Sequence, residues 1–401
     1  MSRHRELAAA CVALAAITAA WAAAVLLPAP AHAAPSASVG PAVVAKADLS
    51  LWPEAIDQRA GYDKASRAAI LVYVGVLGEM RKLSDADMMA AFSIRSVNRA
   101  STDKWLQREL EQATANYRAA AAKCAEGSAN KDWTCLPTLP PSPTEFSSAA
   151  IEWQARVPGA SAAWRANLAA FSRAYLAEQM RLAALFPKIS SEIDRFGDNE
   201  WTGDALPDGQ FLLSFDDGPT PPGGSTDETL RMLASQQRSA VFFMLGGNLQ
   251  ARASKLGAPA LAQAYQGQCV ASHGWEHQSH ARWDGWQDSV RRTQALLQAS
   301  FGKDQILPWF RPPYGQRTAD SGAFFTEQGL QVALWNLDSQ DWNARVTAAD
   351  VTDRMVTLML IKRHGVMLFH DVHAKAFVAL PTLFAKVGEA VVWRDCHAGP
   401  R

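Results

Sequence analysis

The sequence predicts an α/β protein, an all-helical stretch followed by a barrel-like parallel sheet wrapped by helices. Two changes of pattern predict this. From Leu51 to about residue 200 apolar residues recur at helical spacing, and from Gly209 short β-rich runs alternate with helical stretches. Alternating strands and helices make parallel strands, because each strand needs a crossover to return to the same end of the sheet. A third observation concerns chemistry: polar, reactive side chains stand where the β-rich runs end.

Residues 1–33 carry Arg3 and Arg5, an apolar run from Leu7 to Leu27, and then Ala31-His32-Ala33. A basic start, an apolar middle and an A-x-A end describe a secretory signal peptide cut after Ala33. The protein is therefore expected to be exported, periplasmic or extracellular. Left uncut, the same run is long enough to act as a membrane anchor. Residues 34–50 have no pattern and read as a flexible lead.

Beyond Ala33 four cysteines remain, an even number that suits disulfides in an oxidising compartment. Cys124 and Cys135 bracket a short polar loop and are the expected pair. Cys269 and Cys396 are left to pair by elimination. The 39 basic residues cancel the 39 acidic ones, which leaves no electrostatic footprint for nucleic acid. With 48% apolar and 19% charged residues, the chain can fill sizeable cores.

Residues 51–200 read as a helical domain of bundle type without a catalytic constellation. Ser84-Asp85-Ala86-Asp87 marks a helix start before Met88 and Phe92, and a longer helix is expected from Ser101 or Thr102 through Trp105 and Leu110. Ser161 can cap a helix on which Trp164, Leu168, Phe171, Tyr175 and Leu182 share a face and which Pro187 ends. Leu136–Pro143, with four prolines, is expected as a loop.

Residues 201–401 hold six runs: Phe211–Phe215, Ala240–Leu245, Cys269–His273, Trp309–Arg311, Val332–Asp338 and Val366–His370. Asp216, Asp217, His273, Arg311, Asp338 and His370 stand at or beside their ends. Sites of parallel α/β folds lie at the carboxyl ends of strands, and so many reactive ends suggest a barrel mouth rather than a crevice.

The types of residue at those ends suit a divalent metal site with acid and base groups beside it. Asp216 and Asp217 before Gly218-Pro219 form a tight carboxylate corner. His273 and His277, four apart, can turn both rings to one point, and with one carboxylate they make a facial metal site with open positions. The helix-borne H-E-x-x-H pattern of metalloproteases is absent, since Glu276 adjoins the second histidine. Arg311-Pro312-Pro313-Tyr314-Gly315 combines a stiff backbone with a guanidinium able to orient a carboxylate. Asp338-Ser339-Gln340-Asp341-Trp342 and Leu368-Phe369-His370-Asp371 place acids near an imidazole, and an acid there holds the charged form.

In this order the five segments resemble the polysaccharide deacetylase family, also called the NodB-homology domain or carbohydrate esterase family four, over about residues 205–395. The resemblance implies a distorted (β/α) barrel and a metal-dependent deacetylase acting on sugar polymers. By position, Asp216 resembles the general base, and Asp217, His273 and His277 the metal ligands. Arg311 resembles the group that orients the base, and the Tyr314 N–H an oxyanion donor. His370 resembles the general acid with Asp341 tuning it, and Trp342 and Leu368 the walls of the acetyl pocket. One divalent metal is implied, zinc by default, with cobalt or nickel also able to serve.

The implied partner is an acetylated polysaccharide: peptidoglycan, a chitin-like chain or an exopolysaccharide, N- or O-acetylated. The alternative is a carbohydrate-binding pseudo-enzyme on the same scaffold. One departure supports it: Gly274 follows the first metal histidine where the family usually has Ser or Thr, so the loop is expected to be braced less firmly. His280, His364, His373 and His397 match no ligand position. Trp275, Trp283, Trp286 and Trp309 are divided between sugar platforms and core.

Overall fold

A computed structural model describes residues 44–124, 131–187 and 193–398. The expected leader and most of the flexible lead lie outside the described residues. The described residues form one compact unit. Among the described residues no helix is long and apolar enough to cross a membrane.

Among the described residues five α-helices fill the first half: α1 (Arg59–Met80), α2 (Asp85–Phe92), α3 (Arg99–Ala120), α4 (Pro143–Trp153) and α5 (Ala162–Leu185). The start of α2 is fixed by a reciprocal cap between Ser84 and Asp87, as the sequence suggests. The α3 helix begins earlier than the pattern indicates, because Asn98 accepts from the Ser101 N–H and serves as its cap. Pro143 belongs to α4 and not to the loop, since a proline is tolerated at the first helical position behind the Ser142 cap. Ser161 precedes α5 but makes no side-chain capping bond. The α1 segment Ala68–Leu77 is buried on every side, which places this helix at the centre, against α3, α4 and α5.

Among the described residues the second half carries nine strands: β1 (Glu200–Trp201), β2 (Gln210–Asp216), β3 (Val241–Met244), β4 (Cys269–Ser272), β5 (Ile306–Phe310), β6 (Gln331–Ala333), β7 (Leu337–Asp338), β8 (Gly365–His370) and β9 (Val392–Trp393). All pair in parallel, in the order β1-β6-β5-β4-β3-β2-β8-β7, with β9 also on β2. The sheet curls into a half-barrel. The helices that follow or join its strands are α6 (Ser225–Ser235), α7 (Gly246–Leu256), α8 (Ala258–Ala264), α9 (Trp286–Ser300), α10 (Gly322–Glu327), α11 (Ala348–Lys362) and α12 (Ala374–Val387).

The run Val332–Asp338 is two strands rather than one. Its first part pairs with β5 and β1, and its second part pairs with β8 at the other end of the sheet. Leu334 donates to the Trp201 carbonyl and Asn336 to the Val366 carbonyl. The connecting residues thus cross the gap between the two sheet edges, which a local pattern of apolar residues cannot reveal.

Period-two alternation sorts each strand between two cores. Phe211, Leu213 and Phe215 of β2, with Met367 and Phe369 of β8, join the large core shared with the helices. Leu212, Val241, Phe243, Ala271, Val366 and Leu368 form a second cluster inside the curl. Ser214 and Asp216 continue the series begun by Leu212, and His370 continues that of Leu368. Trp309 belongs to this inner cluster at 3% exposure, packed edge-on against Trp201, so it is core and not a sugar platform.

Both expected disulfides are present, Cys124–Cys135 and Cys269–Cys396, with Cα–Cα separations of 5.9 and 6.0 Å. The second ties the start of β4 to the C-terminal segment.

One place where the helical half docks on the barrel is the end of α11. The last carbonyls of a helix have no partner within it. Here Tyr62 donates to Met359 (2.7 Å), Ser66 to Leu360 (2.6 Å), and Asn116 to Ile361 (3.1 Å) and Lys362 (2.9 Å). Arg363, in a left-handed conformation just past the helix, is paired with Asp63 and Asp208. Lys362 contacts both oxygens of Glu109 at 2.6 and 2.8 Å, and Tyr73 donates to the same carboxylate at 2.8 Å. Glu109→Ala would strand a buried ammonium. Urea unfolding of that variant should show a loss of about 3–5 kcal/mol, the usual effect of removing one member of a buried pair. A loss near zero would mean that this contact does not hold the two halves together.

Candidate active site

Five strand ends meet at the mouth of the half-barrel. Register sets the first contact: Asp216 at the end of β2 lies opposite His370 at the end of β8. On the other side β2 pairs with β3, and β3 with β4, so His273 follows directly beyond β4.

Asp216 is held by Arg311. The guanidinium Nη1 donates to Asp216 Oδ1 at 2.7 Å and to Ser214 Oγ at 2.8 Å. Its Nε and Nη2 donate to the carbonyls of Ala333 (2.9 Å) and Leu334 (3.0 Å), and its face lies 3.9 Å from the Phe243 ring centroid. Arg311 is fully buried. With its donors fixed by the sheet, it can set one orientation for the carboxylate.

Asp217 stands at φ 75°, a left-handed conformation that costs a non-glycine residue about 1–3 kcal/mol and clusters at functional sites. This turn swings its carboxylate away from the strand. Asp217 Oδ1 lies 3.3 Å from Nε2 of His273 and 3.3 Å from Nε2 of His277. That oxygen is buried and has no hydrogen-bond partner among the described residues. His273 Nδ1 donates to the Arg311 carbonyl at 2.8 Å, which fixes the tautomer and leaves Nε2 as the free donor atom. An orphaned carboxylate oxygen facing two imidazole nitrogens suits a divalent cation, and the three ligand atoms lie within 4.8 Å of one another. Burial raises the Asp217 carboxyl, but His277, His273 and His370 outweigh it and hold it well below the usual range. Burial lowers the His277 imidazole to about 4, so it is neutral and able to ligate.

A second group of ligand-type atoms, Cys269, Cys396 and His397, offers no thiolate, because its two sulfurs are bonded to each other.

His370 is gripped by Asp341. Its Nδ1 lies 2.7 Å from Asp341 Oδ1 and its backbone N–H donates to Oδ2 at 2.8 Å. Burial alone would push the imidazolium down. Asp341, with Asp217 and Asp216 beyond it, raises it to about 10. Nε2 is left as the atom that can give up a proton.

Tyr314, at φ 59°, packs its ring 4.3 Å from that of His277. Leu368 is 4% exposed on the inner face, while Trp342 is half-buried beside Asp341. The segment reading thus gathers Asp216, Asp217, His273, His277, Arg311, Asp341 and His370 at one place.

The sequence did not single out Asp371. It is 1% exposed and accepts from Thr226 Oγ1 at 2.6 Å, and a side chain on Gly218 would collide with it. The only sequence signal was its place beside His370.

Residues 203–333 match the family model described as polysaccharide deacetylase. The chain carries a polysaccharide deacetylase domain. The peptidoglycan-N-acetylglucosamine deacetylase PgdA of Listeria monocytogenes is 29% identical over 181 residues, covering 44% of this chain and 36% of that protein. A peptidoglycan-N-acetylglucosamine deacetylase of Bacillus cereus is 27% identical over 186 residues, covering 44% and 65%. The chain therefore spans between about a third and two thirds of the length of these relatives. A family 4 carbohydrate esterase from Streptomyces lividans is 27% identical over 48% of this chain and 96% of that one, with a TM-score of 0.39. The domain is a deacetylase-type scaffold with a cluster able to hold a divalent ion. The matched region ends before Asp341 and His370, which the fold brings to the mouth beside the matched residues.

Proposed function

We propose that the protein is an exported, metal-dependent deacetylase that removes acetyl groups from an N-acetylated polysaccharide, peptidoglycan or a chitin-like chain in the first instance. The reading rests on one observation: a carboxylate held by a guanidinium, Asp216 on Arg311, and an imidazole held by a carboxylate, His370 on Asp341, flank the orphaned oxygen of Asp217. Both named relatives carry peptidoglycan-N-acetylglucosamine in their names. Two disulfides and the expected leader support export.

The residues divide the work as follows. Asp217, His273 and His277 would hold the cation, which when bound supplies Lewis-acid polarisation of water and of the acetyl carbonyl. Asp216 takes the proton of the attacking water, its carboxylate aimed by Arg311. The Tyr314 N–H donates to the developing oxyanion. His370 gives its Nε2 proton to the departing sugar nitrogen, and Asp341 stabilises the imidazolium until then. Trp342 and Leu368 enclose the acetyl methyl.

The test is acetate release from a panel of acetylated polymers, before and after exhaustive chelation and after adding back zinc or cobalt. Activity should vanish on chelation and return with metal. Full turnover by demetallated protein would overturn the metal reading. Binding of polymer with no acetate released from any member would favour a sugar-binding protein instead.

A further inference from the structure

The loop that carries the two metal histidines lacks the hydroxyl its family usually places after the first of them, yet it is firmly held. The Gly274 and Trp275 carbonyls accept from the N–H groups of Gly246 (2.8 Å) and Gly247 (3.0 Å), the first residues of α7. These are N-terminal donors that the helix itself leaves unused. On the opposite side the Trp275 N–H donates to Ser289 Oγ at 2.6 Å. Ser289 is 1% exposed, in the first turn of α9, outside all five motifs.

Gly274 shows why the hydroxyl comes from there. It sits at φ 84°, and a Cβ on it would stand 3.0 Å from Ser289 Oγ and 3.1 Å from His280 Nε2. His280 is buried against the Phe310 ring, 5.1 Å between centroids, so it cannot swing out freely. The space that a side chain at 274 would fill is occupied by the Ser289 hydroxyl and the His280 ring. The sequence expectation of a loosely braced loop is thereby corrected.

We infer that Ser289 is the positioning residue that sets the separation of His273 and His277, and that it does so in exchange for a hydroxyl at position 274. The inference rests on the metal reading of Asp217, His273 and His277. It reverses the obvious repair: Gly274→Ser, which restores the usual family residue, should weaken the site, because it forces a side chain into a left-handed backbone and against Ser289.

The experiment uses the full chain, demetallated and titrated with cobalt(II), following its visible absorption. Ser289→Ala should weaken cobalt binding by about 10–100-fold, the usual effect of removing a group that orients a ligand, and should alter the absorption bands. Circular dichroism and thermal unfolding of the metal-free variant check that it is folded. Gly274→Ser should also weaken binding, and the double variant Gly274→Ser/Ser289→Ala should bind more tightly than Gly274→Ser alone, because the clash with Oγ is gone. Wild-type affinity and spectrum in Ser289→Ala would overturn the inference, and so would tighter binding by Gly274→Ser. If Ser289→Ala does not fold, the Gly274→Ser result decides. Failure of the wild-type protein to bind cobalt would instead overturn the metal reading itself.

Discussion

Asp217→Ala will abolish metal binding, while Asp216→Asn will keep the metal and lose most turnover. The two residues are adjacent, but the left-handed backbone at Asp217 sends their carboxylates to different partners. Asp217 Oδ1 faces His273 and His277, whereas Asp216 Oδ1 faces Arg311. Removing Asp217 leaves two imidazoles and no anionic donor, which is too few for a stable site of this kind. Asparagine at 216 keeps an oxygen for Arg311 and removes only the basic group, and a general base contributes about 10²–10⁴-fold. Metal content by atomic absorption and acetate release, measured on the same samples, check the division. Equal metal loss in both variants would show that the two aspartates do not have separate roles.

The second large effect concerns the alkaline limb of the rate. His370 must be protonated to act as the acid, and Asp341 raises its imidazolium to about 10 against burial, from an ordinary 6.5. Asn at 341 removes the negative charge, so the charged form is no longer favoured and the limb moves to lower pH. At pH 8 the rate should fall by about tenfold or more, since most of the imidazole would then be neutral. The metal should remain, because Asp341 is far from being a ligand in this arrangement. Stability gives an independent check with a fixed sign. A histidine whose folded value is raised contributes stability that is full below pH 6.5 and is lost as pH climbs towards 10. Wild-type stability should therefore decline across that window more steeply than that of Asp341→Asn. An unchanged alkaline limb would remove Asp341 from the mechanism.

The sequence by itself determined the chemistry of the mouth and the class of the sheet. Strand ends in a parallel α/β fold face one way, so Asp216, Asp217, His273, Arg311 and His370 could be gathered from local patterns, whereas the strand-end reading named Asp338 and the acid on His370 is Asp341, three residues further on. The αR/β switch near Gly209, the Ser84 cap and the cysteine parity are equally local, and each held. Tertiary structure decided what depends on distant pairing. The run 332–338 became two strands because its halves bond to opposite edges of the sheet. The two-residue strand β1 exists only through its pairing with β6, and β9 only through β2. The helical half is joined to the barrel by Tyr62, Ser66, Asn116 and Glu109, polar residues whose partners lie some 250 to 300 positions away at the end of α11. Ser289 carries no sequence mark at all: a serine in a helix is unremarkable until the fold turns its hydroxyl onto the Trp275 N–H and into the space beside Gly274. The physical reason is the same throughout. Period, capping and turn chemistry act over a few residues, whereas a bond between remote groups is chosen only when the whole chain has packed.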